Sequence, residues 1–113
     1  MPAAHLKARL RTDLTAAMRA RRSAETALLR MLIAAIDNAE AVPLPGGRGH
    51  VGGAIDGSAE VPRRMLTSEM LDAILRHEID ARCAAADEME QIGQPERAVA
   101  LRIQAEMIAR YTR

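Results

Sequence analysis

Neither Phe nor Trp occurs in this chain, and Tyr occurs once. An interior without aromatic bulk has to be filled by Leu, Ile, Ala and seven Met, which favours close helix packing over aromatic-rich β architectures. The same lack argues against recognition of single-stranded nucleic acid by stacking, because that mode needs aromatic platforms. Cys83 stands alone, which excludes an intrachain disulfide and a cysteine-based metal centre and suits a reducing, cytoplasmic setting. No apolar run is long enough to span a bilayer and no basic-then-apolar leader opens the chain, so neither export nor membrane insertion is expected. His5, His50 and His77 lie on separate segments without ligand spacing, and no metal or cofactor is expected.

What the chain does contain is helix. Ser23 to Glu40 is its most apolar segment, with Leu28, Leu29, Met31, Leu32, Ile33 and Ile36 leaving little more than Arg30, Asp37 and Glu40 for water. Such a helix has to be covered on most sides by the other segments. Before it, Leu6, Leu10, Leu14, Ala17 and Met18 recur at three- and four-residue steps and predict an amphipathic helix over about 4–21. The link between the two is short, so they form an antiparallel hairpin, with Ser23 placed to cap the second helix over 23–41.

From Val42 to Arg64 the composition changes, with six of the seven glycines and three of the five prolines in that stretch. No helix survives such a density of breakers, and a mobile loop over 42–64 is expected. Thr67 then caps a third helix over about 67–92, and Gly93 stands where a left-handed residue ends it. Pro95 fits the first turn of a fourth helix over about 95–111, whose apolar faces carry Val99, Leu101, Ile103, Met107, Ile108 and Tyr111. The fold class is therefore all-α, a single domain of two helical hairpins joined by a flexible Gly/Pro-rich loop.

The motifs that suggest chemistry do not hold together. Gly47, Gly49 and Gly52 satisfy the letters of a dinucleotide fingerprint, but that device works between a strand and a helix, and here a helix precedes it. His77-Glu78 begins like a zinc-protease motif, yet Ala81 stands where the second ligand is required. His77 is read as a helix-surface residue, Cys83 as a small buried or half-buried one, and Ser58 and Ser68 have no triad partners. Without a convergent catalytic set, the isolated chain is not expected to be an enzyme.

The net charge of +1 conceals an asymmetry. Lys7, Arg9, Arg11, Arg19, Arg21 and Arg22 face only Asp13 in the first helix, whereas acids outnumber Arg76 and Arg82 in the third. Two readings follow. The helices neutralise one another, within the fold or across a homo-oligomer, or the basic helix is a phosphate footprint for nucleic acid, carried by Lys7, Arg11, Arg19, Arg21 and Arg22. Arg30, set in the apolar second helix, needs a partner if buried, and a structural ion pair with Glu78, four residues from Arg82 on the third helix, is expected.

Leu10-Arg11-Thr12-Asp13-Leu14 with Ala17-Met18, then Leu29-Arg30-Met31-Leu32 with Ala34-Ala35-Ile36, Leu66-Thr67, Glu78, Arg82 and the turn Gly93-Gln94-Pro95-Glu96 together resemble the GatB/YqeY family. The resemblance covers most of the chain outside the glycine-rich stretch. It implies an all-helical cytoplasmic module related to the C-terminal helical region of the B subunit of the tRNA-dependent amidotransferase, a carbon–nitrogen ligase that uses glutamine as amide donor. In that enzyme the helical region helps to hold tRNA and the amide chemistry lies elsewhere, so no catalytic residue carries over. Family members continue past a Glu-Tyr-Leu-Pro segment into a second helical subdomain, whereas the resemblance here runs out at Arg110-Tyr111-Thr112-Arg113, implying a shortened form. The implied partners are tRNA or amidotransferase subunits; the alternative is a protein-interaction or homo-oligomeric scaffold module that binds no nucleic acid.

Overall fold

The computed structural model describes residues 2–41 and 64–112, and within them four helices and no strand. They are α1 (Ala3–Arg19), α2 (Ser23–Ala41), α3 (Ser68–Gln91) and α4 (Pro95–Ala109). The expected loop over 42–64, the glycine motif at 47–52, His50 and Ser58 fall outside the described residues, apart from Arg64. That residue donates its backbone N–H to the Glu40 carbonyl at 2.7 Å, tying the approach to α3 to the end of α2.

Local chemistry sets the helix ends. Thr67 is extended and accepts a hydrogen bond from the Met70 N–H at 3.1 Å, the side-chain cap expected of it. Gly93 adopts φ +77°, and the Gln94 N–H bonds the Met89 carbonyl while the Gly93 N–H bonds that of Glu90, which together close α3 in a Schellman motif. Pro95 opens α4, where its missing N–H leaves no intrahelical bond unmade.

The same motif ends α1. There the Arg22 N–H bonds the Ala17 carbonyl at 2.9 Å and the Arg21 N–H that of Met18 at 3.1 Å. The left-handed position is held by Arg21, at φ 58°, where a glycine would carry no Cβ penalty. Ser23 is already the first residue of α2, and the Arg22 carbonyl accepts the first helical bond from the Thr26 N–H, so Arg22 rather than Ser23 takes the cap position.

The helices pair as two hairpins, α1 with α2 and α3 with α4, and the hairpins meet over a smaller α2–α3 surface. Leu6, Leu10, Ala17, Leu28, Leu29, Leu32 and Ile36 of the first hairpin share one cluster with Leu71, Leu75, Ile108 and Tyr111 of the second. Away from that joint the second hairpin is zipped by Ala86, Ala98 and Ala105, all buried, which let the α3 and α4 backbones approach closely. Covering α2 is less complete than its composition suggests. Ala24, Ala27, Arg30, Ala34 and Asn38 form a solvent strip along it. Val99 and Ile103, which the sequence places on the apolar faces of α4, are exposed, because Ala98, Ala105 and Ile108 supply the face that turns inward.

Two substitutions separate turn geometry from packing. A Cβ at Gly93 meets nothing within 4 Å, so Gly93→Ala should destabilise through φ alone, by about 0.5–1 kcal/mol. Arg21→Gly should stabilise by a similar amount, about 0.5–1 kcal/mol, by relieving the left-handed arginine. Urea midpoints at constant slope would check both.

Candidate functional site

Lys7 lies on α1 facing the last two turns of α2. Its Nζ donates to Asp37 Oδ1 at 3.1 Å and to Glu40 Oε1 at 2.7 Å. The Lys7 and Glu40 side chains are only 16% and 10% exposed, so this pair is shielded from solvent. The hydrogen bond to Glu40 is the largest influence holding the ammonium above its ordinary pKa, opposed in part by burial and aided by Asp37. Acids near a helix C-terminus and a base near an N-terminus both oppose the helix dipoles, and setting them against each other across an antiparallel hairpin offsets both penalties. Lys7 is thus an internal clamp and is withdrawn from the phosphate-binding set proposed from sequence. Glu40, expected to face water, is buried with it.

The expected pair between Arg30 and Glu78 does not form. Arg30 is exposed, with Nη2 3.8 Å from Met18 Sδ. Glu78 instead accepts from Arg82 Nη1 at 2.8 Å within α3, and Arg82 Nε reaches across to Gln104 of α4 at 2.9 Å. Arg102 likewise bridges Asp87 and Glu90 of α3 at 2.8 Å each. The ion pairs seen among the described residues lie within hairpins, and none of these joins the basic first helix to the acidic third. The cause is placement: α2 and α4, rather than α3 and α1, are the neighbours that each charged helix meets first.

Among the described residues, Tyr111 is one polar link between the hairpins. Its hydroxyl donates to Asp13 Oδ2 at 2.5 Å, and Arg9 stacks over its ring with the guanidinium carbon 4.7 Å from the centroid. Arg9 Nη2 also donates to the Arg110 carbonyl at 3.5 Å. Burial, and next the Asp13 carboxylate, push the phenol well above its usual pKa. In the sequence Asp13 stands out as the single acid of a basic helix and as part of the Leu10–Leu14 segment, but its partner is 98 residues away and nothing local marks the pairing.

With Lys7 and Arg9 engaged, Arg19, Arg21, Arg22 and Arg30 are the cations left toward the tip of the first hairpin. Met18, Arg21, Ser23, Thr26, Ala27 and Arg30 line a shallow, open depression of about 400 Å³ there. Arg19 and Arg22 are exposed beside it in sequence, Arg22 with Nε 3.3 Å from Glu25 Oε1. That contact is solvent-exposed and holds Arg22 only weakly. Arg11 is exposed but stands two turns back along α1 and does not line the depression. Arg30, assigned from sequence to a structural pair, joins Arg21 in the lining.

Cys83 is exposed, against the expectation of burial, and His77 is exposed on α3 as expected. Among the described residues no group of three or more His, Cys, Asp or Glu is placed to hold a metal ion, and no described helix is long and apolar enough to cross a membrane. No family model, curated protein or solved structure matches the chain.

Tyr111 gives a pH dependence of definite sign. Its folded pKa is raised, so the stability it contributes is complete below the unfolded value of about 10 and is lost as pH rises through the folded value. Tyr111→Phe keeps the ring and loses the bond to Asp13, and should destabilise by about 1–2 kcal/mol near neutral pH. Urea unfolding at about pH 8 and about pH 11 should show a smaller alkaline loss in the variant than in the parent. Lys7 contributes a loss of the same sign in both proteins, which the comparison cancels.

Proposed function

We propose that this chain is a non-catalytic helical binding module whose α1–α2 tip engages phosphates, and that its partner is tRNA, alone or held by a glutamine-dependent amidotransferase. The observation that carries this reading is the separation of cations into two classes. Lys7 is neutralised inside the hairpin, whereas Arg19, Arg21, Arg22 and Arg30 are exposed at one end, with Glu25 against Arg22. Arginines presented on a depression suit phosphate oxygens, which they contact as forked donors.

The backbone adds support. Holding Arg21 left-handed costs about 1 kcal/mol, which a glycine would avoid, and strain kept at an exposed residue points to its side chain. Arg30 stands seven residues into α2 from Ser23, so the cations extend over about 10 Å, room for more than one phosphate. Contacts of this kind position a partner without reading its sequence. The partner's identity comes from the resemblance to the GatB/YqeY family, in which the amide chemistry lies on another part of the enzyme.

Binding of bulk tRNA, followed by fluorescence anisotropy over a range of salt concentrations, tests the reading. Affinity should fall with salt, and changing Arg19, Arg21 and Arg22 together to Ala should weaken it by about tenfold or more and flatten the salt slope by about 2–3. Lys7→Met should leave tRNA affinity unchanged while lowering stability by about 1–3 kcal/mol, since it removes the ammonium that bonds the shielded carboxylate of Glu40 and that of Asp37. Absence of binding at low salt, or equal binding by the triple variant, would overturn the proposal.

A further inference from the structure

α4 is apolar on two opposite sides. Ala98, Ala105 and Ile108 turn inward and are buried, while Val99 and Ile103 remain 56% and 50% exposed. At 100° per residue, Ile103 points almost directly away from the line between Ala105 and Ile108. The flanks of the helix are already committed, Arg102 to Asp87 and Glu90 on one side and Gln104 to Arg82 on the other. The outer face therefore consists of Glu96, Val99, Ala100, Ile103, Glu106, Met107 and Arg110, centred on Ile103. All are exposed except Met107, which is half-buried and packs in part against the core, leaving only the rest of its side chain to this face.

We infer that this face is a two-fold interface between two copies of the chain, with their α4 helices antiparallel and crossing at Ile103. The charge pattern selects both the occupant and its direction. Glu96 and Arg110 stand seven residues on either side of Ile103, each about 10 Å away along the axis. An antiparallel pair about Ile103 sets Glu96 of each copy against Arg110 of the other, giving two opposite-charge contacts by symmetry. A parallel pair would set Glu96 on Glu96 and Arg110 on Arg110, which like charges disfavour. In the antiparallel register Ile103 meets its own copy and Val99 meets Met107 of the second copy. Glu106 falls opposite Ala100, whose small side chain allows close approach. The 3-4 spacing of residues 96, 99, 103, 106 and 110 is that of a helix-pairing seam.

One helix face of this length buries less than the roughly 1,200 Å² typical of stable complexes, so the dimer is a weak one with dissociation in the range of about 10 µM and above. It leaves the arginine tip outside the interface, so it stands whether or not that tip binds phosphate.

Sedimentation velocity of the full chain from about 1 µM to about 500 µM tests it. The weight-average mass should rise toward twice that of one chain. Ile103→Lys, which removes an exposed side chain and leaves the core intact, should hold the protein monomeric with unchanged helical circular dichroism. Glu96→Arg and Arg110→Glu should each weaken association by about threefold or more, and the two together should restore it. A chain monomeric throughout the range, or a dimer that survives Ile103→Lys, would overturn the proposal. So would association that the double charge reversal does not recover.

Discussion

The two hairpins are docked over a narrow apolar seat, and its polar closure is the hydrogen bond from Tyr111 to Asp13. Each hairpin is a local structure whose helices are neighbours in sequence. Their mutual placement has to come from contacts far apart along the chain, which are few and entropically expensive. Leu71, Leu75 and Ile108 supply the apolar part of that seat against Leu6, Leu10 and the α2 leucines. Tyr111 is the chain's sole aromatic residue, and it is used at the joint. Its ring fills space there, its hydroxyl meets a carboxylate, and Arg9 lies across its face.

From that docking the surface follows. α4 presents Ala98, Ala105 and Ile108 to the interior, and its opposite side, with Val99 and Ile103, is left to solvent. In the first hairpin, Lys7 meets Asp37 and Glu40 because antiparallel pairing brings the start of α1 to the end of α2. The opposite end of that hairpin carries Arg19, Arg21, Arg22 and Arg30. Basic composition alone does not distinguish these two fates, although one neutralises charge and the other displays it.

The proposed phosphate-binding tip and the proposed α4 interface sit on different hairpins and draw on different forces. The first is electrostatic and weakens with salt. The second combines a small apolar contact with two peripheral charge pairs. Self-association through α4 would double the number of arginine tips on one particle, and a polyanion that reaches both would gain through effective concentration without any new contact.

Helix existence and order, and the ends of the second hairpin, were legible in the chain itself, because they depend on neighbours within four or five residues; the turn at Arg21 and Arg22 carries no glycine to mark it. Thr67 caps, Gly93 takes a left-handed turn and Pro95 starts a helix through interactions that a short stretch contains. What only the tertiary structure decided was the rotation of each helix about its axis and the identity of its neighbours. Periodicity marked Val99 and Ile103 as apolar without saying that alanines would take the inner face. Arg30 and Glu78 had suitable charges to pair, yet the docked helices leave Arg30 in water and give Glu78 to Arg82. Lys7 and Arg21 read alike as cations of one basic helix. Their separation into a clamp and a displayed, strained arginine arises from where α1 lies against α2 and where it turns, distances that periodicity does not encode.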